Sequence, residues 1–353
     1  MWNRGNELKL QEIVDFLNEI TALPGTSGYE QPVAEAICRA FSPFCDDARV
    51  DAMGSVVAHQ SGKGPKIMLC AHLDEISMMT TDVERDGSVR FLPVGMADMI
   101  LPAQEVTLLT REGPLYGVIG STPPHLDEDR HKGITADKLF IDTGLPAEEV
   151  RRRVPPGTPV QMTGETIALQ EDKVASKTLD DRACVAILLA CAKEMQRRAH
   201  DADIYYVLSA QEESGGPGAL VAAYAVAPDM AFVLDVTHGT MESCKPGETF
   251  PLDASTLSVG PNLHPGLTAR LREEAERLNM KIETEVVRAH SGTDAWAIQT
   301  AREGIPCALL SLPIKYMHTS VELASVRLML EQAHLLAQTL CGIEAGWEET
   351  LCF

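Results

Sequence analysis

The 353-residue sequence has no Cys-x-x-Cys pair, no long apolar run and no excess of positive charge, and each absence removes a class of function. Without paired cysteines a thiolate zinc site has no ligand spacing to build on. No apolar run approaches the roughly 18 residues needed to span a bilayer. The N-terminal stretch MWNRGNELKLQEIV reads as amphipathic helix and lacks the apolar core and small-residue cleavage site of a signal peptide. The nine cysteines follow no pairing rhythm, and several (Cys70, Cys184, Cys191, Cys307) lie in apolar runs. Reduced thiols and a cytoplasmic location are therefore expected. Acidic side chains outnumber basic ones by 51 to 30, for a formal net charge of −21. That balance disfavours nucleic acid and anionic membrane, because binding by counterion release needs clustered Lys and Arg.

What is present is an α/β alternation. The length favours two domains. Apolar runs bounded by turns read as buried strands at 66–72, 204–211, 230–236 and 306–313. Helical patterns fall at 7–22, 30–42, 179–197, 217–227, 265–278 and 320–341, the second with Ser27 and Glu30 at capping-box spacing. Residues 76–165 differ. SVRFLPV, EVTLLT, GPLYGVIG and KLFIDTG are short β-like segments between Gly and Pro turns. The expected architecture is a layered α/β catalytic domain from 1–75 plus 166–353, interrupted by a small β-rich, barrel-like domain at 76–165.

Candidate ligands collect at the carboxyl ends of the predicted strands, where open α/β sheets form their sites. His72 and Asp74 follow KIMLCA, Glu212 and Glu213 follow IYYVLSAQ, Asp235 ends AFVLD, and His318 follows LLSLPIKYM. Asp180 and Asp181 precede the apolar helix RACVAILLACA. Mixed histidine and carboxylate suit Zn²⁺, Co²⁺ or Mn²⁺. Two such ions need a bridging carboxylate, for which Asp180 is the natural candidate, and they lower the pKa of a bridging water. A further carboxylate must move that water's proton to the leaving group, and adjacent Glu212 and Glu213 can divide the work if they point different ways. Each piece alone is ordinary: an acidic pair before a helix is commonly a cap, and a Glu-Glu pair a solvated dipeptide. Their conjunction at strand ends carries the metal-site reading.

These segments also resemble a known family. AHLDEIS (71–77), LDDRA (179–183), QEESG (211–215), LDVTH (234–238), GTDA (292–295) and PIKYMHTSVE (313–322) are similar, in order, to signatures of the glutamyl and deblocking aminopeptidases. That family includes the self-compartmentalising tetrahedral aminopeptidases, and some members carry an endoglucanase or cellulase label. PGTSGYE (24–30), DAMGSVV (51–57), LPAQEVTLLT (101–110), GVIGSTPPH (117–125) and LFIDTG (139–144) extend the resemblance over nearly the whole chain. It implies a zinc-peptidase-like fold and a two-metal aminopeptidase acting on peptides with a free N-terminus. Asp180 would bridge two ions, His72 and Asp235 complete one, and Glu213 and His318 complete the other. Glu212 would be general base and acid, with Asp74 orienting His72. The insertion would mediate dimerisation, and dimers would assemble further into a tetrahedral dodecamer.

Four positions depart from the family pattern. Ser55 stands for the customary Asn, Ser77 for Gly, Ser258 for the first Gly of a G-x-G-P turn, and Lys315 for Arg. None is an implied ligand, so they bear on the pocket; Lys lacks the planar fork of Arg. His125 could reach a neighbouring active site or be an idle loop histidine. Asp294 could shape the site or simply start a helix. Cys184 and Cys191 share a buried helix face. Three rivals stay open: a two-metal carboxypeptidase or N-deacylase, a metal-free glycosidase, and a non-catalytic homologue kept for its assembly. The first usually places its lid after the Glu-Glu pair, whereas here the insertion lies between His72 and Asp180. Aspartyl aminopeptidases share the insertion point but have longer chains.

Overall fold

The structure, a computed structural model, describes residues 4–123, 125–126, 133–245, 247–344 and 346–347. Eight strands form one sheet in the spatial order Asp47–Val50, Val56–Gln60, Asp203–Ser209, Lys66–His72, Met230–His238, Cys307–Ile314, Ser255–Val259 and Ile282–Val286. The middle four run parallel. Val56–Gln60 pairs antiparallel to Asp203–Ser209 and Ser255–Val259 antiparallel to Cys307–Ile314, so the sheet is mixed.

The central strands are buried on both faces, which is why they read as continuous apolar runs rather than alternating ones. One face packs against Gln31–Phe41, Leu179–Met195, Pro265–Arg277 and Val326–Cys341, through side chains such as Ile37, Val185, Leu271 and Leu336. The other packs against Pro217–Val226 and Asp294–Ile298. The chain enters Asp203–Ser209 from Leu179–Met195 on the first face and leaves through Pro217–Val226 on the second. It then crosses Lys66–His72 to reach Met230–His238. Crossovers that leave on opposite faces open a crevice at the carboxyl ends of these strands.

From the end of Lys66–His72 the chain passes through 73–76 into a closed antiparallel barrel of six strands. Around the barrel these are Ser77–Val83, Val89–Val94, Leu139–Asp142, Gly113–Ser121, Glu105–Thr110 and Pro159–Met162. Met78, Phe91, Val106, Leu108, Ile141 and Val160 fill its interior. A third, three-stranded sheet joins Ile167–Ala168, Lys173–Ser176 and Glu322–Ser325. The α/β class with a β-rich barrel is thus the observed one.

Three local expectations fail. The last helix begins at Val326, not 320, because Glu322–Ser325 pairs as a strand with Lys173–Ser176 and Ser325 caps the helix by accepting from Leu328 N. The strand expected to reach 211 ends at Ser209, where the chain turns. Ser27 and Glu30 form no capping box. Tertiary partners win both side chains: Ser27 Oγ donates to Asp74, and Glu30 accepts from Gly28 N and Gln211 N.

Candidate active site

His72 is the last residue of its strand, level with Ser209 across the ladder. Asp235 sits inside a strand that runs on to His238, past the expected end at 236. Glu212 and Glu213 occupy a 3₁₀ turn just past Ser209. Asp180 and Asp181 lie in the first turn of Leu179–Met195 with non-helical dihedrals, joined by a cis peptide. His318 stands in the turn between Cys307–Ile314 and Glu322–Ser325. Residues far apart in the chain therefore meet at one end of the sheet.

Asp180 is the centre of the cluster. Its Oδ1 lies 3.1 Å from His72 Nε2 and its Oδ2 3.1 Å from His318 Nε2, so each oxygen faces a different imidazole. His318 Nε2 is also 3.6 Å from Glu213 Oε1. Ligand atoms of His72, Asp180 and Glu213 lie within 4.8 Å of one another, and so do those of His72, Asp181 and Asp235. Asp74, completely buried, places Oδ1 3.3 Å from His72 Nδ1. It also accepts from Glu212 N and Glu213 N.

Burial and mutual repulsion dominate the electrostatics. Burial pushes Glu212 up to about 8, opposed by His72 and aided by Asp294, Glu213 and Asp74. It pushes Glu213 up to about 7, with Asp180 adding to the shift. Asp235 and Asp181 are driven well above the usual carboxyl range by burial first and by neighbouring acids next. Burial works against ionisation of Asp180 too, but hydrogen bonds to His318 and His72 outweigh it and hold the group below its ordinary value. The bond to Asp180 pushes His318 up to about 9.

Among the described residues no Lys or Arg lies within ion-pair distance of Asp180, Asp181, Glu212, Glu213 or Asp235. The nearby buried cations Lys177 and Arg182 are engaged by Glu75, at 2.6 and 3.3 Å. One carboxylate oxygen, Asp181 Oδ1, is buried without a partner. Unpaired carboxylates in a dry pocket are strongly unfavourable unless a cation compensates them. The mixed nitrogen and oxygen donors suit a divalent metal such as zinc, so these residues fit a metal centre.

Several supporting residues escape sequence reasoning. Glu322 is buried and accepts from Asp180 N (2.9 Å) and His318 N (2.8 Å), tying the two residues together. The Gly95 carbonyl lies 2.8 Å from His318 Nδ1, so a barrel loop reaches the site. Gly95 has φ +73, and a Cβ there would approach Ile76 to 2.7 Å and Glu213 Oε2 to 3.1 Å, so only glycine fits. The one sequence hint was Glu322, the last residue of a motif quoted for its histidine. Non-glycine residues with positive φ border the cluster on each side: Thr178, Gln211, Tyr316 and His318. Left-handed conformations of this kind persist only where surrounding structure imposes them, and they gather at functional sites.

Of the remaining positions, His125 is exposed on a barrel loop. Asp294 does not cap its helix; Thr293 does. Asp294 is buried beside Ser209 Oγ and Cys70 Sγ, with Oδ1 unpaired and its carboxyl pushed by burial up to about 6. Ser55 is buried and accepts from Ala210 N; Ser77 opens the first barrel strand; Ser258 donates to Glu285; Lys315 pairs through its backbone with Leu323. A separate groove of about 1300 Å³ lies on the helical face, bordered by Phe16, Lys193, Met280 and His334, and shares no residue with this cluster.

Comparison with known proteins agrees with this picture. The family described as M42 glutamyl aminopeptidase matches residues 54–335. A lysyl aminopeptidase of Pyrococcus furiosus is 35% identical over 89% of this chain and 92% of its own. A TET aminopeptidase from the marine sediment archaeon Thaumarchaeota archaeon SCGC AB-539-E09 superposes with TM-score 0.92 at 25% identity, covering 97% of this chain and 99% of that one. The TET1 peptidase of Pyrococcus horikoshii, which can assemble into a tetrahedron or a large octahedral shell, superposes with TM-score 0.82 at 28% identity over 94% of this chain and 99% of that one.

Proposed function

Since the chain belongs to the M42 glutamyl aminopeptidase family and is a peptide-bond hydrolase that removes N-terminal residues, we propose that it works through two divalent ions, with Glu212 as general base and acid. The observation that carries this reading is Asp180 presenting its two oxygens to two different histidines. In this reading Asp180 would be shared between the ions, His72 and Asp235 would hold one, and Glu213 and His318 would hold the other. Zinc or cobalt best suits the donors, with manganese a further candidate. When bound, such ions polarise the scissile carbonyl and make water acidic enough to ionise near neutral pH.

The chain's own groups do the rest. Asp74 accepts from the backbone of both glutamates, which lets the adjacent side chains leave the turn in different directions. Glu213 faces His318, and Glu212 is left to take the proton from the attacking water and deliver it to the departing amine. The surplus of buried carboxylates also favours a substrate that brings a positive charge, as a free N-terminus does.

For assembly, the barrel (within 76–165) is proposed as the dimerisation unit. Its exposed Leu92, Met99, Tyr116 and Val118 offer apolar side chains for such an interface. Dimers of this kind could build a closed shell such as the Pyrococcus horikoshii relative forms.

The deciding experiment is Glu212→Gln on protein stripped with chelator and reloaded with Zn²⁺, Co²⁺ or Mn²⁺, assayed with a panel of aminoacyl chromogenic substrates. The variant should keep its metal content and lose roughly 10²- to 10⁴-fold in kcat. A variant near the wild-type rate sinks the assignment of the base. Failure of the wild type on every free-amine substrate with every metal sinks the activity.

A further inference from the structure

The turn that carries Glu212 and Glu213 leaves a strand, so its first backbone N–H groups have no ladder partner and need acceptors from elsewhere. Four in succession find one. Ala210 N donates to Ser55 Oγ (3.1 Å), Gln211 N to Glu30 Oε1 (3.1 Å), Glu212 N to Asp74 Oδ1 (3.0 Å) and Glu213 N to Asp74 Oδ2 (3.2 Å). Every acceptor is a buried side chain from a different part of the chain.

Gln211 is the strained member, with φ 62 and ψ 31. That left-handed conformation is unfavourable for a non-glycine residue, so surrounding contacts must hold it. Glu30 is the side chain that does so. It is 3% exposed and 181 residues away in sequence, and the same Oε1 also accepts from Gly28 N at 2.8 Å. The Glu30 turn is itself anchored: Ser27 Oγ donates to Asp74 Oδ2 (2.6 Å), and Glu75 N donates to Gly25 O (3.0 Å). Behind Gln211 the packing is close. A Cβ on Gly218 would meet Ala210 O at 2.2 Å and Ser55 Oγ at 2.9 Å. The turn therefore has little room to relax in that direction; its carbonyl side is closed by Gly216 N (3.0 Å) and Ser214 N (3.3 Å) donating to Gln211 O, and Glu30 is the side chain that holds its N–H.

We propose that Glu30 is a positioning residue for hydrolysis, acting through the backbone of Gln211 to aim the Glu212 carboxylate. The inference rests on Glu212 being the base. Released from Glu30, Gln211 can return to an ordinary conformation, which rotates the peptide plane leading into Glu212. A misplacement of about 1 Å at a reacting group costs about 10²-fold in rate. Asp74 still accepts from Glu213 N, and His72, Asp180, Asp235 and His318 lie outside the turn, so the residues that would hold the metal are retained together with substrate affinity.

The test compares Glu30→Met, which removes the acceptor at similar length, with Glu30→Gln, which keeps an acceptor oxygen and removes the charge. For each, kcat, KM, metal per chain and melting temperature are measured on zinc-loaded protein with an aminoacyl chromogenic substrate. Glu30→Met should lose about 10- to 100-fold in kcat with KM and metal content within about twofold of wild type, and Glu30→Gln should restore most of the loss. Equal kcat in the two variants overturns the proposal, as does a loss of kcat matched by a loss of metal. If Glu30→Met does not fold, Glu30→Asp, one methylene too short to reach Gln211 N, must show the same kcat-selective loss; a wild-type kcat there overturns it. Glu212→Gln is run alongside. If that variant is inactive while Glu30→Met is not, the positioning role alone fails; if it keeps the wild-type rate, both readings fail.

Discussion

The barrel and the central sheet break the same rule of burial in opposite directions. The sheet packs large apolar cores on both faces, yet at one end it buries His72, Asp74, Glu75, Lys177, Asp180, Asp181, Arg182, Asp235 and Glu322. The barrel's core cluster is wholly apolar, but its outside displays Leu92, Met99, Tyr116, Val118 and Leu126, each at least half exposed. Buried charge and exposed apolar surface are the two informative deviations from ordinary packing. Each is unfavourable alone and becomes favourable with a missing partner: a cation for the sheet, another protein surface for the barrel. The contrast is what the proposed metal centre in the sheet and the proposed association surface on the barrel are built on.

The contrast within the buried charges is equally instructive. Glu75 is ion-paired to both Lys177 and Arg182, so in that trio the buried carboxylate is fully compensated by cations. The carboxylates around Asp180 have only histidines. Burial lowers the pKa of Lys177, with Glu75 opposing the shift.

The strongest way to break this division is Glu75→Gln, which leaves the buried Lys177 and Arg182 without their shared carboxylate. Removing one partner of a buried pair should cost about 3–5 kcal/mol in denaturant unfolding. A loss below 1 kcal/mol would show that the two cations do not depend on Glu75 and that the trio is not a matched unit.

A middle-sized effect concerns pH. Glu212 and Glu213 have folded values pushed up to about 8 and about 7, above the ordinary 4.5. Their unfolded forms release protons first, so stability is highest below the unfolded value and falls as pH rises toward the folded ones. Chelator-stripped protein should therefore melt progressively lower from pH 5 to pH 8, and reloading with zinc should flatten that slope. A stripped protein whose melting temperature rises over the same interval contradicts the picture of uncompensated carboxylates.

The smallest effect on stability is expected in the barrel. Tyr116→Lys with Val118→Lys alters exposed positions and places the new charge at 118 opposite Glu105 and Asp142, so melting should change by no more than about 0.5 kcal/mol equivalent. The particle mass by light scattering should fall instead. Unchanged mass moves the association surface elsewhere.

Much of the fold was legible because its signals are local. Strands such as Met230–His238 and Cys307–Ile314 are covered on both faces, and the resulting apolar runs show directly in the sequence. The capping box and the early start of the last helix misled for a shared reason. Ser27, Glu30 and Glu322 have local patterns that suit a helix start, but each serves a residue distant in the chain: Asp74, Gln211 and Asp180. The barrel loop at Gly95 left no sequence signal either, since a carbonyl that meets a histidine 223 positions away can come from any residue.

Sequence alone determined the layered α/β class, the β-rich interruption and the residue types of the acidic cluster, because periodicity, turn chemistry and motif spacing are written residue by residue. Only the tertiary structure decided that Asp180 turns one oxygen to each histidine, that Glu75 is neutralised by Lys177 and Arg182, and that Glu30 holds the turn of the two glutamates. Those are matters of direction and distance between segments brought together by packing, and the free energy of a buried charge depends on what stands within a few ångströms of it.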